Sequence, residues 1–312
     1  MISTTNEMVR AYAPATVSNL GPGFDVLGLA VRGPGDVVTA RRSPDPGVRL
    51  TRISGDGGRL SHDPEANTAG IAALATLRKA GIEQGVEIEL DKGMPIGSGL
   101  GSSAASAVAA AFAVNQLLGS PLRKVDLIEP CLLAEATVAG RHADNIAPCL
   151  LGGLVLVRAV DPIDIVRLPV PEGLIMVLAI PDFELETRKA RAVLPGQVPL
   201  HQMVRATANL ASFVSACYSG DIDLLARCVV DDVVEPVRAA LIPGAVQVMQ
   251  AARSCGVIAT SISGAGPTIF AISHSTEVGR RAGQAMVDAF AQAGVRATAT
   301  LSPIDCPGVR LL

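Results

Sequence analysis

The chain of 312 residues has no Trp, two Tyr and six Phe, and its 26 Lys and Arg form no dense run. Without stacking surface for single strands or a basic stripe for duplexes, a nucleic-acid partner is not expected. The six cysteines contain no CxxC pair, which argues against a zinc site or a disulfide framework and fits a reduced, cytoplasmic setting. The opening residues MISTTNEMVRAYAP lack the apolar centre of a signal peptide. Uncharged stretches occur around 93–122 and 255–274, but Gly, Ser, Pro and Thr crowd them, so no membrane span is expected. With 49% apolar and 18% charged residues, the chain has ample material for a core. Its length suits two domains.

Val86, Ile88 and Leu90 alternate with Glu87, Glu89 and Asp91, a half-buried strand. Four earlier strands are expected in VRAYAPAT, FDVLGLAV, GDVVTARRS and VRLTRIS. Asn67 and Gly81 bracket a helix as N-cap and C-terminal stop. A second helix is expected over Ser102–Leu118, with Ser102 or Ser103 as its cap. Pro130 divides a helical stretch at Lys124–Ala139, and LGGLVLVRAV reads as a strand. Pro162, Pro169 and Pro171 place a domain boundary near 159, giving units 1–158 and 159–312. In the second unit a strand at Leu174–Ile180 precedes helices near 187–193, 200–218, 222–234 and 244–255. Strands at 257–262 and 268–272, a helix at 277–293 and a strand at 295–301 follow. Mixed elements in both halves indicate an α+β fold.

The strand at 86–91 runs into MPIGSGLGSSAASAVAAAF, with Gly97, Gly99 and Gly101 just ahead of the helix. Glycine lets main-chain N–H groups turn inward, and a helix N-terminus adds free donors and partial positive charge, so the pattern suits an anion. A Walker A loop needs a lysine that is absent here, and the third glycine stands one residue too early for a dinucleotide fingerprint. A purely structural turn would also use such glycines.

Three segments narrow the choice: PATVSNLGPGFDVLGLAV, PIGSGLGSSAAS and SISGAGPTIFAI, in that order. Together they resemble the three motifs of the GHMP superfamily of small-molecule kinases. RHADNIAPCLLGG and ETRKARAVLP bring the likeness to the homoserine kinases, across nearly the whole chain. The resemblance implies an N-terminal ATP-binding domain like domain 2 of ribosomal protein S5 and a ferredoxin-like C-terminal domain. It implies phosphorylation of a homoserine hydroxyl by ATP with Mg²⁺, a step in threonine synthesis, in an enzyme whose relatives are often dimers.

By the same resemblance, Pro95, Ile96, Gly97, Ser98, Gly99, Leu100, Gly101, Ser102, Ser103, Ala104 and Ala105 would carry ATP, with Asn67 near the base. Ser103 and Glu135 would hold Mg²⁺, a hydroxyl and a carboxylate suiting a hard cation. Asp25 and Asn19 would meet the substrate ammonium. Arg191 and Arg238 would clamp its carboxylate, for which the guanidinium fork is suited, with Thr187, His142 and Gly264 beside them. Relatives such as mevalonate kinase carry an aspartate, thought to be a base, seven residues before the Gly-Gly pair. That position here is Asn145, which cannot take a proton, in keeping with phosphoryl transfer driven by positioning. Asn145, Arg191 and Ser103 are the expected catalytic residues. A kinase for mevalonate, a sugar or shikimate, and a non-catalytic sensor of the same fold, are the alternatives.

Overall fold

The computed structural model describes residues 7–312. β1 (Met8–Asn19) and β2 (Gly23–Ser43) form a long antiparallel hairpin. β3 (Val48–Ser54) is followed by α1 (Thr68–Ala80), and β4 (Gly85–Asp91) by α2 (Ser102–Leu117). A 3₁₀ turn at Lys124–Leu127 leads into α3 (Ile128–Ala136), α4 (Ile146–Leu151), β5 (Leu154–Val160) and β6 (Ile163–Leu168). The chain then enters β7 (Ile175–Pro181), α5 (Thr187–Ala192), α6 (Leu200–Ser219), α7 (Ile222–Cys228), α8 (Glu235–Ala239) and α9 (Ala245–Ser254). β8 (Ala259–Ile262), β9 (Ile269–Ser273), α10 (Thr276–Gln292), β10 (Ala297–Pro303) and β11 (Arg310–Leu311) complete it.

The first sheet orders β11-β1-β2-β4-β3, with β5 also on β2 and β6 on β5. Period-two patterning sets its faces. Val86, Ile88 and Leu90 are fully buried, while Glu87 and Glu89 on the other face pair with Arg49, Arg41 and Arg52. α2 lies over β1 and β2 with α1 and α3 at its flank. Its alanines from 104 to 111 are wholly buried, because a helix without charge or bulk can be surrounded on all sides. The expected boundary near 159 falls inside β5, and β6 and β11 both add to the first sheet.

The second sheet orders β10-β7-β9-β8, all antiparallel, in line with the ferredoxin-like expectation. Met176 and Leu178 turn one face toward the first core, and Val177 and Ala179 turn the other toward α9 and α10. Gly279 and Gly283 bring α10 close to that face: a Cβ at either would sit 3.3–3.4 Å from Val177. The helix expected over 222–234 is shorter, residues 229–234 being non-helical, and a further short helix, α8, starts beyond it at Glu235. α7 ends at Cys228, and the Asp231 carboxylate accepts from the amides of Val233, Val234 and Glu235 at 2.8–3.0 Å, starting α8 afresh. Among the described residues no helix is long and apolar enough to cross a membrane.

Candidate active site

The turn from β4 to α2 has a one-sided polarity. Its four successive carbonyls from Gly97 to Leu100 are taken by protein donors. Gly97 O accepts from Leu185 N at 3.0 Å, Ser98 O from Thr268 N at 3.2 Å and Leu100 O from Thr16 N at 3.0 Å. Gly99 O accepts from Ser263 Oγ at 2.7 Å. The amides from Gly97 to Ala104 have no main-chain acceptor among the described residues. Ser98 Oγ is likewise buried without a partner. Carbonyls pinned outward leave N–H groups facing one cleft, at the positive end of α2.

The three glycines adopt left-handed φ of 66°, 78° and 69°. A Cβ at Gly99 would fall 2.6 Å from the carbonyl oxygens of both Ser263 and Gly266, and one at Gly101 would fall 2.2 Å from Thr16 Oγ1. Close approach of protein segments thus demands glycine here before any ligand does. Neither Ser102 nor Ser103 caps α2; the N-cap is Gly101, with no side-chain cap. Both hydroxyls are committed elsewhere. Ser102 Oγ accepts from Lys92 Nζ at 2.8 Å, and Ser103 Oγ donates to the Glu135 carboxylate at 2.9 Å.

Beneath this turn lies a buried ion pair that sequence reasoning did not find. Lys92 Nζ contacts Asp36 Oδ2, both side chains being 2% exposed or less. It also donates to Ser102 O at 3.0 Å and Ser106 Oγ at 2.9 Å. Asp36 in turn accepts from Gly93 N at 3.1 Å and Ser106 Oγ at 2.7 Å. A cation under the first turn of α2 with its own counter-ion fixes the turn without adding net charge.

Across the cleft, the bend between β1 and β2 is strained: Asn19, Leu20 and Asp25 hold φ of 69°, 49° and 60°. Non-glycine residues in this region persist where their surroundings impose it, commonly at functional sites. Asn19 ties the bend to the β8–β9 turn, accepting from Asp25 N at 3.1 Å and donating to Gly264 O at 3.0 Å. Arg191 on α5 grips Asp25 with two parallel bonds of 2.8 and 3.1 Å. Arg238, 3% exposed, donates to Gly264 O at 2.8 Å. The Phe24 ring lies 5.6 Å and 5.2 Å from the two guanidinium groups, steadying both by cation–π attraction.

His142 Nδ1 contacts Asp144 Oδ1 at 2.7 Å. Burial opposes its charged form, yet the hydrogen bond and charge of Asp144, with Glu135 and Asp25 behind, carry its pKa up to about 9. Burial pushes the Glu135 carboxyl upward against the pull of His142 and Ser103. Ligand atoms of Asp25, His142 and Asp144 lie within 4.8 Å of one another. Asn145 caps this corner, its Oδ1 accepting from Thr16 Oγ1 at 2.7 Å and its Nδ2 donating to Ser18 Oγ at 3.1 Å.

One 490 Å³ cavity joins the two halves of the site. Asn19, Asp25, Asn67, Ile96–Gly99, Gly101–Ser103, Glu135, His142, Asn145, Thr187, Arg191, Arg238 and Gly264 all line it. Pro95, Leu100, Ala104 and Ala105 do not; the last three are fully buried and support the turn from behind. Asn67 lines the cavity, but its amide is occupied with Ala69 N and Ser61 O. Asp144 lines it beside His142, and Ser18, Lys92 and Ser106 line it unanticipated.

Family models match both halves of the chain: the GHMP kinases N terminal domain over residues 67–153 and the GHMP kinases C terminal over 213–292. Homoserine kinase of Arabidopsis thaliana is 46% identical, covering 97% of this chain and 84% of its own length. That of Chlorobium phaeobacteroides is 42% identical, covering 97% and 99%. The crystal structure of homoserine kinase from Cytophaga hutchinsonii superposes with a TM-score of 0.96 at 45% identity, over 100% and 99% of the two chains. With both family models matched and this likeness running end to end, the chain belongs to the GHMP kinases and, within them, to the homoserine kinase family.

Proposed function

We infer that the protein transfers the γ-phosphoryl group of ATP to the side-chain hydroxyl of L-homoserine, yielding O-phospho-L-homoserine for threonine synthesis. The observation that carries this is a single cleft with inward amides at one end and an Asp25/Arg191/Arg238 set at the other. A polyanion suits the first end. A small zwitterion suits the second, its ammonium meeting Asp25 and its carboxylate the guanidinium forks. Asn19 and Gly264 shape that end, and Thr187 lies at the start of α5 beside it.

Ser103 and Glu135 fit a divalent cation. Both offer oxygen, and among the described residues the only hydrogen-bond donor to the buried Glu135 carboxylate is the Ser103 hydroxyl. Bound there, Mg²⁺ would offset the negative charge of the phosphates. The chain's own contribution is to hold the phosphate tail on the amides of Gly97–Ala104 and to orient the alcohol for in-line attack. The alcohol oxygen bonds to the γ-phosphorus as the bond from phosphorus to the bridging oxygen breaks and ADP leaves. The hydroxyl proton passes by way of the transferred phosphoryl group to water. Asn145 is a positioning group in this scheme rather than a base. We assign residues 1–158 and 159–312 to the two units that flank the cleft, with β6 and β11 of the second adding to the first sheet, and a homodimer as the oligomer, to be checked by light scattering.

The deciding experiment is a panel of small alcohols scored by ADP release with Mg-ATP. Homoserine should give the highest kcat/KM; turnover with another alcohol and none with homoserine would overturn the assignment. ATP affinity should fall when Mg²⁺ is withheld, whereas a retired kinase acting as a sensor has no need of the metal.

A further inference from the structure

We propose that Thr16 and Ser18 are positioning residues that lock the carboxamide of Asn145 and couple it to the phosphate turn. The proposal rests on the phosphoryl-transfer reading above. Both residues lie on β1, two apart and therefore on one face, and both are 1% exposed or less.

Thr16 makes two bonds with different groups. Its amide donates to Leu100 O in the glycine turn at 3.0 Å, and its hydroxyl donates to Asn145 Oδ1 at 2.7 Å. The other end of the carboxamide donates from Nδ2 to Ser18 Oγ at 3.1 Å. A carboxamide with one partner can turn over and exchange its oxygen for its nitrogen. Held at both ends between two buried hydroxyls, it is fixed in plane and position, and the bond from Thr16 favours the oxygen on that side. Gly101 closes the arrangement, since a Cβ there would meet Thr16 Oγ1 at 2.2 Å and Asn145 Oδ1 at 2.9 Å.

The proton inventory then follows. Thr16 spends its hydroxyl proton on Asn145, and Ser18 spends a lone pair, so the Ser18 hydroxyl keeps a proton to donate. Ser18 and Asn145 both line the cavity, and Gly264 of the β8–β9 turn lies against Ser18, where a Cβ would be 2.9 Å from its Oγ. This wall, between the phosphate turn and the zwitterion pocket, therefore presents the Ser18 hydroxyl and the Asn145 carboxamide at fixed places. Such an array suits a reaction that depends on placing oxygens around phosphorus.

The test is a double-mutant cycle. Thr16→Val keeps the shape and removes the donor; Thr16→Ser restores the donor; Ser18→Ala removes the second partner. Thr16→Val is expected to lower kcat roughly tenfold, with both KM values within about twofold, and Thr16→Ser to recover most of the loss. In an Asn145→Ala background, Thr16→Val should cost nothing further, because the group it orients is gone. An equal loss in both backgrounds, or no loss in the wild type, would overturn the proposal. Should Thr16→Val fail to fold, the Ser18→Ala and Asn145→Ala cycle decides by the same criterion. The cycle is read with whichever alcohol the wild type phosphorylates, so a wrong substrate leaves this inference to stand or fall separately.

Discussion

Replacing Lys92 by Met tests how the phosphate turn is held. The ammonium is buried with Asp36 and also donates to Ser102 O, Ser102 Oγ and Ser106 Oγ. Met fills similar volume, so the change is almost purely electrostatic. Asp36 would keep its bonds from Gly93 N and Ser106 Oγ but lose its counter-ion in a site with no exposure. Stranding one partner of a buried pair costs roughly 3–5 kcal/mol. At about 2 °C per kcal/mol for a chain of this size, the melting temperature should fall by roughly 6–10 °C. Lys92→Met/Asp36→Asn removes the stranded charge while leaving an acceptor for Gly93 N, and should recover half of the loss or more. Ser102 loses two bonds from Nζ in either variant, so KM for ATP should rise severalfold in both. Thermal melts and steady-state kinetics measure these outcomes. A single variant that melts with the wild type, or a double variant no better than the single, would show that the pair does not hold the turn.

Gly99→Ala forces a Cβ to within 2.6 Å of two main-chain oxygens, whereas Gly97→Ala meets only a side chain, Glu184 Cγ at 2.5 Å, which can turn aside more readily than main chain. Both bear the left-handed penalty of roughly 1–2 kcal/mol, so Gly99→Ala should show the larger losses of melting temperature and ATP affinity; equal losses would contradict the close approach. Arg191→Leu should raise KM for homoserine at least tenfold and leave KM for ATP within about twofold; parallel increases would assign the arginine to folding or closure instead. Glu235 offers a pH test. Burial raises its carboxyl pKa, against the Ser261 hydrogen bond. A folded-state value above the unfolded one means that its contribution is fullest below the ordinary carboxylate range and is lost as pH rises through the raised value. Glu235→Gln should therefore raise the melting temperature at pH 8 relative to wild type and give no gain at pH 4.

What the sequence disclosed depended on whether the cause was local. The alternation at 86–91 and the Asn67 and Gly81 signals of α1 correspond to β4 and to caps seen in the structure, because each is written within a few residues. β6 carries no strand signal in the sequence, since Pro162 and Pro169 flank its six residues and Asp164 and Arg167 lie within them; it is an edge strand on β5 alone, and edge strands tolerate such residues. The end of α7 and the fresh start of α8 have a local signal in Asp231 followed by Pro236, masked in the sequence by the valines at 229, 230, 233 and 234 that continue the apolar spacing.

The site divides along the same line. The glycine turn and the Asp25 bend were legible as motifs, while their supports were not: Lys92 meets Asp36 across 56 residues and Thr16 meets Asn145 across 129. Such pairs leave no periodicity to read. The absent cap of α2 shows the consequence. A hydroxyl at Ser102 or Ser103 is an ordinary N-cap by local chemistry, yet one is drawn to Lys92 and the other to Glu135. The helix start is left with bare N–H groups at a left-handed glycine. An uncapped helix end is unfavourable by itself. Here the same bare donors, with the outward-pinned carbonyls before them, form the anion-facing wall of the cleft. The local rule fails at the position where the cleft needs its donors free.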